Sequence, residues 1–91
     1  MLSEDVIKYL TDSGFEAYFS VPSNLSEMFA PSFIRTDECE CCKRRSSLSV
    51  YSDGRFDAYD ERGNGLFTGG VNRIESVDDL KLVMKWVFQY R

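Results

Sequence analysis

The segment "SSLSVYSDGRFDAY", residues 46–59, constrains the fold more than any other part of the chain. Asp53 and Gly54 form a dipeptide that is typical of two-residue type I′ turns, and β-prone residues flank it on both sides. Pairing outward from such a turn places Leu48 opposite Tyr59. The segment therefore predicts an antiparallel hairpin.

Two helices are predicted, one at each end of the chain. Ser3 is a good N-cap for the first helix, and Gly14 has the position of a C′ residue that ends it. Ser76 and Asp79 have the spacing of a capping box at the start of the last helix. The apolar arc of that helix is extended by Leu82, Trp86 and Tyr90. This extension fits either a wide core contact or a partner-binding edge, and in both cases we expect Trp86 to be at least partly buried.

Three further segments have the alternation or the composition of β-strands, namely residues 15–21, 33–39 and 66–74. Within the last of them, the Gly69-Gly70 pair indicates a bulge or a close backbone approach. Residues 23–30 are compatible with one helical turn. The order of elements predicts an α+β fold in one domain, residues 1–91. We expect an antiparallel meander of about four or five strands, with both helices on one face.

The composition narrows the classes of function. The chain has 91 residues, a net charge of −4 and no histidine. An acidic chain lacks the basic field that non-specific binding to nucleic acid needs, so a protein partner with a basic surface is favoured over direct nucleic-acid binding. The commonest general base and the commonest metal ligand are missing, so we expect a protein that is not an enzyme.

Several features bear on location. No apolar run approaches the roughly 18 residues of a membrane span, so no membrane partner is expected. The first residues carry acids where a signal peptide carries positive charge. The three cysteines are an odd number, which does not suit a closed disulfide framework. Together these features favour the reducing cytoplasm.

Pairs of possible metal ligands flank the hairpin. Cys39 and Cys42 have the Cys-x2-Cys spacing of a metal knuckle. Asp57 and Asp60 repeat that spacing after the hairpin, and two ligand pairs joined by a hairpin are the layout of a zinc ribbon. Structural zinc prefers thiolate and imidazole to carboxylate, so a hairpin with thiols and no cofactor is favoured. Zinc held by these residues, with Cys41 as a possible third thiolate, and a thiol or metal sensor are the alternatives.

The segment from Cys39 to about Gly70 resembles the zinc ribbon that opens bacterial and phage DNA primases. Those ribbons carry a Cys-x2-Cys or Cys-x2-His knuckle, a hairpin similar to "S-x-x-V-x-x-D-G-x-F", a second Cys-x2-Cys and a glycine-rich turn. The matching residues are Cys39, Cys42, Leu48, Val50, Asp53, Gly54, Phe56, Gly63 and Gly65. Asp57 and Asp60 stand where the second thiolate pair is found. The resemblance implies a zinc-ribbon scaffold and a surface that meets single-stranded DNA.

Two surfaces are candidates for binding, and the first is acidic. In a zinc-ribbon layout, the carboxylates of this surface would lie together at one end of the molecule. Its members are Asp37, Glu38, Glu40, Asp57, Asp60 and Glu61. This acidic surface predicts a small non-catalytic interaction protein that binds, and inhibits or regulates, a macromolecular partner with a basic surface. Short acidic domains of this kind are frequent among phage proteins, including nuclease inhibitors of the anti-CRISPR type.

The second candidate surface is basic and aromatic. Its members are Lys43, Arg44, Arg45, Tyr51, Arg55 and Phe56. It predicts a nucleic-acid-binding module of zinc-ribbon descent, in which cations contact phosphates and rings stack on bases. The sequence leaves the partner and the oligomeric state open.

Overall fold

The computed structural model describes residues 2–19, 31–40 and 44–89 of the chain. It has the predicted α+β fold, in which one helix precedes and one follows an antiparallel sheet of four strands. The helices are α1 (Glu4–Asp12) and α2 (Val77–Met84), and α2 continues into a π-helical turn, Lys85–Gln89. The strands are β1 (Glu16–Phe19), β2 (Pro31–Glu38), β3 (Arg45–Val50) and β4 (Phe56–Asp60). The helical turn expected at residues 23–30 lies outside the described residues.

The strands lie in the sheet in chain order, each antiparallel to the next. Apolar side chains of both helices join those of β2 and β3 in one buried cluster, so both helices pack on one face of the sheet. Its members on these elements are Val6, Leu10, Phe33, Leu48, Val50, Leu80, Val83 and Val87 (the last in the π-helical turn). Neither helix in the described ranges is long and apolar enough to cross a bilayer.

The predicted helix caps are confirmed. The hydroxyl of Ser3 accepts the amide of Val6 at 3.3 Å, and the hydroxyl of Ser76 accepts the amide of Asp79 at 3.3 Å. Each contact satisfies a backbone donor that the first helical turn leaves without a partner. After α1, Gly14 adopts a φ of +83°, the left-handed conformation of a C′ residue.

The β3–β4 hairpin pairs one residue away from the predicted register. Leu48 lies opposite Ala58 and not opposite Tyr59. The turn is longer than two residues, because the amide of Tyr51 donates to the carbonyl of Arg55 at 2.8 Å and closes a three-residue loop. The observed register places Ala58 on the core face beside Leu48, where the predicted register would have placed Tyr59. The predicted turn was wrong because burial of the apolar set outweighs the preference of one dipeptide.

The tip of this hairpin anchors the approaches to both helices. The amide of Leu2 donates to the carbonyl of Ser52, and the amide of Ile74 donates to the carbonyl of Gly54, each at 2.8 Å. Gly54 is buried with a φ of +94°, and a Cβ atom there would lie 2.8 Å from the carbonyl oxygen of Ile74. Only glycine suits both this conformation and this approach.

Residues 66–74 connect β4 to α2 and do not form the fifth strand that we predicted. A single bridge between Tyr59 and Gly65 precedes this connection. Gly69 and Gly70 then adopt φ values of +77° and +82°, which lie outside the β region and turn the chain. The alternation of the segment was therefore misleading. At the glycine pair, a side chain rather than another backbone segment approaches closely, since a Cβ atom on Gly69 would lie 2.7 Å from Cδ1 of Trp86.

Candidate functional site

Most of the predicted acidic surface lies at one end of the sheet. Asp37 and Asp60 occupy one cross-strand row, on either side of Ser46. Glu38 is the last residue of β2 and Glu61 directly follows β4, so both residues border this end. The fold thus brings together carboxylates that are far apart in the sequence.

Asp57 is separated from that end of the sheet. It lies opposite Ser49, and strand alternation turns its side chain to the face away from Asp60. Its Oδ2 accepts a hydrogen bond of 2.7 Å from the hydroxyl of Tyr51. Glu40 is exposed in the turn between β2 and β3. The expectation that all these carboxylates share one end therefore fails for Asp57.

Cations and backbone amides already engage the carboxylates at this end. Asp37 forms an ion pair with Arg35, with 2.6 Å between Oδ2 and Nη2. Glu38 lies 3.9 Å from Nε of Arg45, and Glu61 accepts the backbone amide of Arg45 at 3.2 Å. The end of the sheet is therefore mixed in charge rather than uniformly acidic.

Asp60 stabilises the turn that follows β4. Its Oδ1 accepts the backbone amides of Arg62 and Asn64, both at 2.9 Å. The amide of Asn64 is the largest of the causes that hold the pKa of the Asp60 carboxyl below its ordinary value of 3.8, and the guanidinium of Arg62 acts in the same direction. Asp60 is therefore a carboxylate with a structural role at neutral pH.

The predicted zinc ligands are only partly described. Cys39 is half-buried at the start of the turn, and its amide donates to the carbonyl of Arg44 at 2.8 Å. Asp57 and Asp60 point to opposite faces of β4, so this pair does not converge on one ion. Among the described residues, no group of three or more side chains of metal-binding type comes together. Cys41 and Cys42 lie outside those residues, so the zinc and thiol hypotheses stay predictions.

The predicted basic and aromatic surface is divided. Arg44 and Arg45 lie at the start of β3, and Lys43 lies outside the described residues. The other members lie at the far end of the hairpin: Tyr51, Arg55 and Phe56. The length of β3 separates the two parts by about 16 Å. They cannot act as one compact patch.

A groove of about 440 Å³ lies beside the mixed-charge end, and we name it the Trp86 groove. Its apolar lining consists of Leu66, Phe67, Trp86 and Val87. Its charged lining consists of Arg44, Arg45, Asp60, Glu61 and Arg62. Ser46 and Asn64 complete it. The groove therefore joins residues from both predicted surfaces to an aromatic wall.

The aromatic wall of the groove is a pair of rings. Phe67 and Trp86 meet edge to face, with 4.8 Å between centroids and an angle of 78° between ring planes. Trp86 is half-buried, which confirms the expectation from the sequence. Phe67 is 64% exposed, although the contact with Trp86 holds it in a defined geometry. A large aromatic side chain with this exposure is a typical feature of a binding surface.

Sequence reasoning did not identify Phe67 or Arg62 as candidate site residues. Both lie beyond β4, in segments that the sequence assigned to a turn and to a strand. The available signal was Trp86, which extends the apolar arc of the last helix beyond what one sheet covers. The second signal was the Gly69-Gly70 pair, because glycines that allow a close approach imply that another group packs against them.

Comparison of the chain with protein-family models, with curated proteins and with solved structures finds no match in any of the three. The resemblance to a primase-type zinc ribbon is therefore a prediction that rests on the residues alone.

Proposed function

We propose that the protein is a small non-catalytic binding protein that contacts a protein partner through the Trp86 groove, and thereby inhibits or regulates it. The observation that carries this proposal is the exposed ring of Phe67, held edge to face against Trp86. A ring that is already fixed loses little side-chain freedom when a partner covers it, so its burial contributes strongly to affinity. Aromatic residues and arginine are also the residues enriched at the energetic centres of interfaces.

The groove supports binding better than the acidic surface does. Asp37, Glu38 and Asp60 already accept contacts from arginines or backbone amides, and a basic partner would have to compete with these. The net charge of −4 still favours approach of a basic partner, such as a nuclease inhibited by an anti-CRISPR-like protein. The groove hypothesis makes binding depend on Phe67, whereas the acidic-surface hypothesis makes it depend on the carboxylates.

The test is capture of partners from a lysate of the source cells on immobilised protein, with variants in parallel. Phe67→Ala removes the exposed ring of the groove. Tyr9→Ala is the matched control, because Tyr9 is a partly exposed aromatic residue of α1 that does not line the groove. We expect a protein that is retained by the wild type and the control and lost with Phe67→Ala. A partner retained equally by all three would overturn the groove proposal.

The acidic surface has its own test in the same experiment. Replacing Glu38, Glu40 and Asp57 with Gln, Gln and Asn removes three exposed charges of the acidic surface that do not line the groove, and it keeps the side-chain shapes. If the partner is basic and contacts these residues, its association slows in this variant. Unchanged association of the captured partner contradicts the acidic-surface hypothesis.

A second candidate function is binding of single-stranded nucleic acid. The observation that favours it is that Arg44, Arg45 and Arg62 lie around the same groove as two aromatic rings. Such sites combine cations that contact phosphates with rings on which bases stack. Titration with a labelled single-stranded oligonucleotide at several salt concentrations tests it. Binding with a steep salt dependence that Phe67→Ala weakens would favour this function over a protein partner.

A further inference from the structure

We propose that the segment bound in the Trp86 groove is a short acidic peptide, with one apolar or aromatic side chain in the groove and carboxylates on the surrounding arginines. The inference rests on the proposed function, because it names the chemistry of the segment that covers Phe67. It also predicts a contact segment of the opposite charge to the basic surface expected from the net charge of the whole chain.

The charge around the groove favours an anionic ligand. The guanidinium groups of Arg44 and Arg62 make no ion pair within the described ranges. The carboxylates of the groove are partly engaged, since Oδ1 of Asp60 accepts two backbone amides and Oε2 of Glu61 accepts the amide of Arg45. Cations therefore have more unused hydrogen-bonding capacity at this site than anions do.

The arginine side chains of the groove are suited to bind carboxylates. A guanidinium presents a planar set of donors that matches a carboxylate, often through two parallel hydrogen bonds. Arg44 and Arg62 are both exposed, and they approach the groove from different segments, one before β3 and one after β4. A ligand with carboxylates on both sides of its apolar residue would reach both.

The size and lining of the groove suit a short segment with an apolar side chain. A volume of about 440 Å³ is at the lower end of the range for ligand pockets, and it suits one or two side chains of a short segment. Part of the lining is apolar, because Leu66, Trp86 and Val87 contribute to it. An apolar or aromatic side chain between neighbouring carboxylates fits this combination.

A peptide is favoured over a nucleic acid for an electrostatic reason. The backbone of a single strand carries a negative charge at every nucleotide, and Asp60 and Glu61 would lie near some of these charges. A peptide places only a few carboxylates, and it can place them beside the arginines. The net charge of −4 repels both ligands, but it opposes a long polyanion more strongly than a short peptide with a few carboxylates.

The test is selection of short random peptides displayed on phage against the immobilised full chain, with the bare support used to remove background binders and Phe67→Ala protein kept for the later titrations. Selected peptides are then synthesised with a fluorescent label for titration. We expect enrichment of Leu, Phe or Trp with Asp or Glu close on either side. We expect Phe67→Ala to weaken their binding by about tenfold or more.

Charge variants separate the chemistry of the ligand from the existence of the groove. Arg44→Gln and Arg62→Gln are each expected to weaken binding about threefold, and high salt should weaken it further. Arg55→Gln is the matched control, since Arg55 is also exposed but lies at the other end of the hairpin. We expect it to have no effect on affinity.

The possible outcomes distinguish the two proposals. Peptides that need Phe67 but carry no acid, or that carry Lys and Arg, would overturn the acidic-peptide inference and leave groove binding in place. Peptides that bind Phe67→Ala as tightly as wild type, or no enrichment at all, would count against both. Displacement of the peptide by an oligonucleotide that binds more tightly at the same site would favour the nucleic-acid function.

Discussion

The indole of Trp86 occupies the space in which a side chain at position 69 would stand. A Cβ atom on Gly69 would lie 2.7 Å from Cδ1 and 2.9 Å from Nε1 of Trp86. The missing side chain thus allows the connection after β4 to lie directly on the π-helical turn. Because Phe67 lies two residues before Gly69, this approach also sets where the exposed ring of the groove stands.

Gly69→Ala should therefore cost more stability than Gly70→Ala. Both residues have positive φ, which costs an alanine about 1 kcal/mol or more. Of the two, only Gly69 has a neighbour with which the new methyl group would clash. Displacing Trp86 should add about 1–2 kcal/mol to the loss of stability. Denaturant unfolding of both variants measures the difference, and tryptophan fluorescence of the native state reports the displaced indole. Equal losses with unchanged fluorescence would show that the contact is unimportant.

The Arg35 side chain should contribute more to stability than that of Arg55. Both form an ion pair of 2.6 Å with an aspartate two residues away, but Arg35 is 27% exposed and Arg55 is 70% exposed. Arg35 also donates to the carbonyl of Ser13 at 3.0 Å and lies 4.6 Å from the ring centroid of Phe88. We expect Arg35→Gln to reduce the free energy of unfolding by about 2 kcal/mol, because it leaves half-buried acceptors without a donor.

The control for this prediction is Arg55→Gln, which we expect to change the free energy of unfolding by less than about 0.5 kcal/mol. Chemical denaturation of the two variants and the wild type measures both values. Similar losses in the two variants would contradict the assigned role of burial.

Asp60→Asn tests the role of the Asp60 carboxylate at acid pH. Backbone amides hold the pKa of Asp60 below 3.8, so the ionised group stabilises the fold at pH values above 3.8 and loses this contribution as the pH falls through its lowered pKa. Asparagine keeps an acceptor oxygen but does not titrate. We expect the variant to be less stable than wild type near neutral pH, with the difference vanishing at acid pH. Thermal unfolding over a pH series measures this, and a difference that is independent of pH would contradict it.

Protein produced without added zinc should fold and should contain well under one equivalent of the metal. The reason is that Asp57 and Asp60 point to opposite faces and each already accepts a hydrogen bond from a protein group. Elemental analysis of the purified protein and thermal unfolding with and without chelator check the prediction. A stoichiometric zinc whose removal unfolds the chain would overturn it and support the zinc-ribbon hypothesis.

Features set by neighbouring residues were predictable from the sequence. Ser3 and Ser76 cap their helices through amides only three residues away, so the local pattern contains the whole signal. The register of the hairpin was not predictable from its turn residues. It depends on which face of β4 meets the core, and that choice is made by helices distant in the sequence.

In the candidate site, too, some features were predictable from the sequence and others were not. The cysteine and carboxylate pattern drew attention to the end of the sheet beside which the proposed groove lies, because Asp60 and Glu61 line it. The aromatic wall of the groove was not predictable. Phe67 contacts Trp86 because the chain turns at Gly69 and Gly70, whereas the sequence pattern of this segment predicts a strand. The role of Arg35 was not predicted for a related reason, since Ser13 and Phe88, two of its three partners, come from segments distant in the sequence.

The hydrogen bonds at the tip of the β3–β4 hairpin have a consequence for the order of folding. The segments leading into α1 and α2 attach to Ser52 and Gly54, which take their places only when the hairpin has closed. Closing the hairpin joins residues that are near in the sequence and so costs little chain entropy, whereas the contact between Leu2 and Ser52 closes a long loop. We therefore expect the hairpin to belong to the folding nucleus. A substitution such as Gly54→Ala should then slow refolding as well as accelerate unfolding, which makes this turn a determinant of how fast the native state is reached.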